Sequence, residues 1–304
     1  MAEILAIGEA LVELNQPSDG APFAPGFGGD TSNATIAAAR LGASAGYFTA
    51  VGADRFGESL VALWKSEGVD ASGVVVNGAA HTGLYFVTHG PDGHSFSYRR
   101  AGSAASRLTE ADAPTQAIRA ARILHVSGIS QAISSSATDL VFAAIDIARE
   151  AKVLVSYDTN LRLKLWPLRR ARAIIHEAMH SADIALPSLD DATQLTGRSA
   201  PDAILDFYLA LGARVVALKL GKDGSVVATP ERRERVAPFR VSAVDATGAG
   251  DAFDGAFLAE YLRQSDPFAA ARFANVAAAL STLGYGAVAP LPRCADVLAA
   301  MAKG

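Results

Sequence analysis

Val244-Asp245-Ala246-Thr247-Gly248-Ala249-Gly250-Asp251-Ala252-Phe253, continued by DGAFLAEYL over 254–262, decides how this chain is read. Thr247, Gly248, Ala249 and Gly250 form a loop of small residues. The loop opens into a helix whose apolar face takes in Phe253, Phe257, Leu258 and Tyr261. At a helix start the unpaired backbone N–H groups and the positive end of the dipole point outward together. Glycines let a phosphate approach such a backbone closely. Asp251 then falls in the first turn, where a carboxylate beside a bound phosphate can take a hydroxyl proton. Phosphoryl transfer needs mainly alignment and charge stabilisation, so a base and a cradle of N–H donors suffice. On these residues alone, Asp251 reads better as an acid that satisfies the helix dipole, a common structural role. Two other nucleotide motifs are excluded. A GxGxxG fingerprint would need glycine where Phe253 stands, and no GxxxxGK[ST] loop occurs.

Outward from this stretch, short apolar runs alternate with amphipathic ones. Ile4–Ile7, 153–155, 184–186 and 215–218 read as buried strands, and Leu140, Ala144, Ile147 and Ala148 mark one face of a helix between two of them. The alternation predicts an α/β fold with a central, mainly parallel sheet covered by helices on both faces. With 304 residues, half of them hydrophobic, the chain can bury one large core, and the absence of a repeat or linker predicts a single domain over 1–304. One region breaks the pattern: TGLYFVT at 82–88, a turn at Gly90-Pro91-Asp92-Gly93, and SFSYRR at 95–100 predict a β-hairpin. Strand alternation puts Phe96, Tyr98 and Arg100 on one face and Tyr85 with Val87. An aromatic and a guanidinium so placed suit a polar, anionic ligand beneath a lid, and the pattern equally fits a solvated strand with an ordinary surface arginine.

A net charge of −4 gives no global case for nucleic acid or an anionic membrane. The lone cysteine, Cys294, predicts a reducing, cytoplasmic setting. The N-terminus carries Glu3 and Glu9 without a basic lead, so neither a signal peptide nor a membrane span is expected. His125 beside Val126 reads as a core histidine.

The run DATGAGDAFDGAF resembles the C-terminal signature of the ribokinase-like (PfkB) carbohydrate kinases, and further stretches follow in that family's order. Gly28-Gly29-Asp30-Thr31-Ser32-Asn33 is similar to its diglycine substrate segment, and Val51-Gly52-Ala53-Asp54 with Phe56-Gly57 to its VGxDxfG element. Lys219-Leu220-Gly221-Lys222-Asp223-Gly224 resembles the strand–turn–strand that flanks the nucleotide, and Ala274-Asn275 the adenine pocket. The resemblance runs from Ile4 to Leu291. It implies a three-layer α/β/α sandwich with a small β-lid from about 12–28 and 73–103. Asp251 would be the base, the Gly248, Ala249 and Gly250 amides the anion hole, and ATP with Mg²⁺ the phosphoryl donor, the metal arriving on the nucleotide. Asn160, Arg162, Ser188, Lys219, Gly221, Gly224, Gly248, Gly250 and Asn275 would line the nucleotide. Asp245 and Thr247 lie where relatives bind a monovalent cation such as K⁺. Where the family shows Asn-x-x-Glu this chain has Ser188 and Asp191, so Asp191 would reach magnesium through water.

TGLYF, SYRRAGSAASRL, LHVSGIS and DTNLRLKLW resemble the 2-keto-3-deoxygluconate kinase branch. That likeness implies a sugar-acid acceptor contacted by Gly29, Asp30, Asn33, Tyr85, Tyr98, Arg100, Arg162 and Asp251, phosphorylated at its 6-hydroxyl in catabolism of the Entner–Doudoroff type. An arginine can bind such a carboxylate in a bidentate way. Arg99, where relatives carry an aromatic, and Tyr285, where some carry an acid, bear on fine specificity. A fructokinase or another neutral-sugar kinase is the alternative, and a homo-oligomer is expected because lids in this family often pair between subunits.

Overall fold

The computed structural model describes residues 2–16, 18, 20–90 and 93–303. Among these, eight strands form the main sheet in the order Arg233–Val236, Ser225–Ala228, Val215–Lys219, Ile184–Ala185, Leu154–Asp158, Ile123–Ser127, Ile4–Ile7, Ala45–Phe48. Every pair from Val215–Lys219 to Ala45–Phe48 is parallel, and the two strands beyond Val215–Lys219 are antiparallel.

A parallel sheet needs cover on both faces, and strand alternation supplies an apolar set to each. Leu5, Leu124, Val126, Val155, Val216 and Leu218 pack with Leu140, Val141, Ala144 and Ala148 of helix Ser135–Glu150 and with Ile175 of helix Leu168–Met179. Ile4, Ile123, Ile184, Val215 and Ala217 face the other way, onto Phe253 and Phe257 of helix Ala249–Gln264 and Phe273 of helix Pro267–Ser281. The result is a three-layer α/β/α sandwich. His125 lies buried in the sheet with Nδ1 3.1 Å from Ser156 Oγ, and burial pushes its pKa down to about 4, so the ring is neutral.

Helix Asp30–Arg40 runs beside helix Ala249–Gln264, and the two touch through backbone. A Cβ on Gly255 would stand 2.2 Å from Ala34 O, so only glycine allows this spacing.

A second sheet of four strands is ordered Ala24–Gly28, Leu11–Gln16, Leu84–Gly90, Gly93–Arg99. The hairpin pairs Tyr85 with Tyr98 and Val87 with Phe96, which puts these four on one face. Of the turn expected between the two strands, Pro91 and Asp92 lie outside the described residues. Val75–Asn77 does not join this sheet; it pairs with Ala50–Gly52 instead. Asp54 of the VGAD stretch is a structural pin: its carboxylate caps helix Arg55–Ser66 through Gly57 N at 2.8 Å and accepts from Thr82 N at 2.8 Å.

Candidate active site

The carboxyl ends of the parallel strands all open on one side, where ligands of α/β sheets bind. Ile4–Ile7 leads to Glu9, Ile123–Ser127 ends on Ser127, Leu154–Asp158 on Asp158 and Val215–Lys219 on Lys219. Helix Ala249–Gln264 starts at the same level. Gly248 caps it at φ 74°, and a Cβ there would meet Ala287 Cβ at 2.9 Å, so both conformation and space call for glycine. Gly250 and Asp251 occupy the first turn, where N–H groups have no intrahelical acceptor. The Ala249 amide departs from the expected cradle, because it donates back to Ala246 O at 3.2 Å.

Asp251 is half-buried, and Asn33 Nδ2 donates to its Oδ2 at 2.8 Å. Desolvation is the largest influence on this carboxyl and the negative charge of Asp30 the next; together they push its pKa up to about 7 against the opposing Asn33 hydrogen bond. The carboxyl therefore changes charge near neutrality, as a general base requires. Asn33 Oδ1 is buried without a hydrogen-bond partner among the described residues, an acceptor open to a ligand hydroxyl.

Beneath the helix mouth, Lys219 Nζ donates to Asp158 Oδ1 at 3.1 Å and to Asp254 at 2.9 and 3.0 Å. Burial alone would lower the lysine, but Asp158 and then Asp254 outweigh it and raise its proton affinity. The ammonium stays charged directly under the first turn: a Cβ on Gly250 would lie 3.8 Å from it.

On the other flank, Ser188 caps helix Leu189–Thr196 by accepting from Asp191 N at 3.2 Å, and Asp191 Oδ2 accepts from Leu161 N at 3.1 Å. Burial first, then the Asp158 charge, raise the Asp191 carboxyl. Asn160 precedes Leu161 at φ 24°, left-handed for a non-glycine residue. Arg162 is exposed and its Nη1 donates to Leu161 O at 2.9 Å. Gly221 and Gly224 turn the chain after Lys219, and Asn275 Nδ2 is spent on Val236 O and Ala237 O at 3.3 and 3.0 Å, holding the wall of this side rather than facing a ligand. Among the described residues no set of three acidic, histidine or cysteine side chains is arranged to hold a metal ion. Asp245 Oδ1 takes Thr247 N at 2.9 Å and Thr247 Oγ1 at 2.6 Å, while Oδ2 takes Gly286 N at 2.9 Å. Those bonds fold the loop that leads into the helix.

From above, the second sheet presents Tyr85 stacked on Tyr98 with ring centres 5.8 Å apart. The Tyr85 hydroxyl donates to Glu13. Arg100 is arranged differently from the sequence expectation of a fork held out to a ligand carboxylate. Its Nε donates to Glu9 Oε2 at 2.7 Å and its Nη2 reaches the same oxygen at 2.5 Å, while Ser103 Oγ donates to Glu9 Oε1 at 2.6 Å. The Glu9 carboxylate is fully enclosed, and a buried carboxylate without a cation is costly. Arg100 is therefore a counter-ion first.

The profile of the pfkB family carbohydrate kinases matches residues 1–294. The chain is a member of that family. Fructokinase-1 of Oryza sativa subsp. japonica is 34% identical over 98% of this chain and 97% of its own length. The 2-dehydro-3-deoxygluconokinase of Thermoproteus tenax is also 34% identical, over 98% of this chain and 94% of its own. The structure of a putative ribokinase II from E. coli in complex with ATP and Mg²⁺ superposes with a TM-score of 0.91 and 26% identity, covering all of both chains. The fold is thus ribokinase-like, and the protein is a sugar kinase whose acceptor these two curated relatives leave open.

In this pfkB family kinase, Glu9, Glu13, Asp158 and Asp254 hold Arg100, Tyr85 and Lys219 in place, although none stands among the sequence candidates. Two had a readable signal. Asp158 follows the apolar run 153–155 by three residues, and Asp254 lies one turn after Asp251 in the first half of the helix, where no other charged side chain stands. Glu9 and Glu13 fall where the first strand gives way to the second sheet, and no local pattern marks that bend. Among the described residues no helix is long and apolar enough to cross a membrane.

Proposed function

We propose that this protein transfers the γ-phosphoryl group of ATP to the 6-hydroxyl of 2-dehydro-3-deoxy-D-gluconate. The observation that carries the reading is Asp251: a carboxyl at a helix mouth, held by Asn33 and titrating near 7. It takes the proton of the terminal hydroxyl while that oxygen bonds to the γ-phosphorus and the bond to the β-phosphate oxygen breaks, giving the sugar phosphate, ADP and a proton. The Gly250 and Asp251 amides, backed by Lys219, suit the charge that builds on the moving group. Among the described residues no three acidic, histidine or cysteine side chains are grouped to hold a metal ion, so Mg²⁺ would rely on the nucleotide phosphates, with Asp191 reaching it through water.

The second sheet acts as a lid over the acceptor, with Tyr85 and Tyr98 as its inner surface. Arg162, exposed at the edge of the cleft, is the cation suited to the acid's carboxylate, because the Arg100 charge is already balanced by Glu9. A neutral sugar such as fructose is the second reading, favoured by Glu13 at the lid, whose carboxylate suits hydroxyls and repels an acid. An ADP-release assay with ATP, Mg²⁺ and each acceptor decides between them. The keto acid should have the higher kcat/KM, and Arg162→Ala should lower it at least about tenfold more than the value for fructose. Faster turnover of fructose, untouched by Arg162→Ala, would overturn the sugar-acid reading.

A further inference from the structure

The resemblance sets Asp30 among the acceptor contacts, and one of its two carboxylate oxygens is already committed to the protein. Asp30 is buried, and its Oδ2 collects two protein donors, Ser127 Oγ at 2.5 Å and Asn160 Nδ2 at 2.8 Å. These come from the ends of two neighbouring strands, Ile123–Ser127 and the turn after Leu154–Asp158. Asp30 also opens helix Asp30–Arg40, one turn before Asn33, so the two share a helix face, and Asn33 reaches Asp251 at 2.8 Å.

Asn160 is the strained member of this set. Its φ of 24° costs a non-glycine residue on the order of 1 kcal/mol and persists only where neighbours hold it. The side-chain bond to Asp30 does this, and the next residue, Leu161, passes the position on to Asp191 through its N–H. One carboxylate thus stands between the turn on the nucleotide side and the helix that aligns the base.

We propose that Asp30 is a positioning residue for the phosphoryl transfer: it holds the Asn160 turn in place and, one turn before Asn33 on the same helix, sets a negative charge beside Asp251. The second half rests on reading Asp251 as the base. The charged and titratable groups around the pair are few. Asp251 meets Asp30, Asp158 and Lys219, with the Tyr85 phenol nearby. Asp30 meets Asp158, Asp251 and the buried phenols of Tyr47 and Tyr157, both pushed up by burial and so uncharged. Burial raises the Asp30 carboxyl too, while its Ser127 and Asn160 donors favour the anion.

Asp30→Asn keeps an oxygen for Ser127 and Asn160 and removes the charge. The acid limb of kcat/KM should then move to lower pH by about one unit, since a like charge near a carboxyl raises its pKa. A profile superimposed on that of the unsubstituted enzyme overturns the electrostatic half. Asp30→Ala also removes the acceptor, and the KM for ATP should rise about threefold or more while that for the sugar holds; an unchanged ATP KM overturns the positioning half. Should both variants fail to fold, coupling is reciprocal and can be read from the other side. In Asp251→Asn, the Asp30 carboxyl, followed by ¹³C NMR titration, should release its proton at lower pH than in the unsubstituted protein, and an unmoved titration refutes the coupling. That readout needs no turnover. An Asp251→Asn enzyme at full speed would sink the base assignment and leave the Asp30 result standing by itself.

Discussion

Replacing Arg100 by alanine should cost this kinase mainly stability. The Glu9 side chain has no exposed surface and that of Arg100 is 12% exposed, with contacts of 2.5 and 2.7 Å between them. After the change Glu9 keeps one strong side-chain donor, Ser103 Oγ at 2.6 Å. Breaking a buried ion pair from one side costs about 3–5 kcal/mol, because the remaining charge stays desolvated. For 304 residues, unfolding entropy of about 2 cal/mol/K per residue gives roughly 0.6 kcal/mol/K, so the melting temperature should fall by about 5–8 °C. Denaturant and thermal unfolding of Arg100→Ala, Glu9→Gln and the double variant form a cycle that isolates the pair. The double variant should be more stable than Arg100→Ala, since no charge is then left buried. The folded fraction of Arg100→Ala should lose activity on acid and neutral acceptors to similar degrees. An Arg100→Ala protein within about 1 kcal/mol of the parent would refute the counter-ion argument.

Asp251→Asn should lower kcat by about 10²–10⁴-fold with ATP binding retained, measured by ADP release and by nucleotide titration. If Asp251 is the base, as proposed, it works only when ionised, so kcat/KM should fall as pH drops through about 7, roughly tenfold per unit below it. A flat profile from pH 5 to 8 would contradict this. Gly255→Ala would press a methyl group to 2.2 Å from Ala34 O, and forcing the helices apart should cost about 1–3 kcal/mol. The same shift separates Asn33 from Asp251, so its kcat should fall more than its KM values change.

The α/β architecture was legible because buried parallel strands write themselves as continuous apolar runs, as Ile4–Ile7 and Val215–Lys219 do. Strand ends were less so. The expected run 153–155 is observed as Leu154–Asp158, because Asp158 and Ser156 are polar residues buried by their partners and not by their own character. The loop before helix Ala249–Gln264 announced itself through small residues that few other structures need. What composition could not reveal was how charges would be spent. Arg100 is drawn to Glu9, a residue 91 positions earlier, and Lys219 to two aspartates 61 and 35 positions away. Such pairings depend on tertiary proximity, so a sequence reading hands Arg100 to the ligand while the fold has already claimed it.

The bare backbone contact at Gly255 ties the helix of Asn33 to the helix of Asp251, whereas Tyr85 and Tyr98 hang from a sheet with its own hydrogen-bond ladder. On the reading proposed above, the lid's share of recognition is therefore separable from the chemistry, while Arg162 and Asn33 stay with the main body. Grafting the four strands of that ladder from a relative with another diet should change how sugars rank as acceptors, and the machinery at the helix mouth would remain as built.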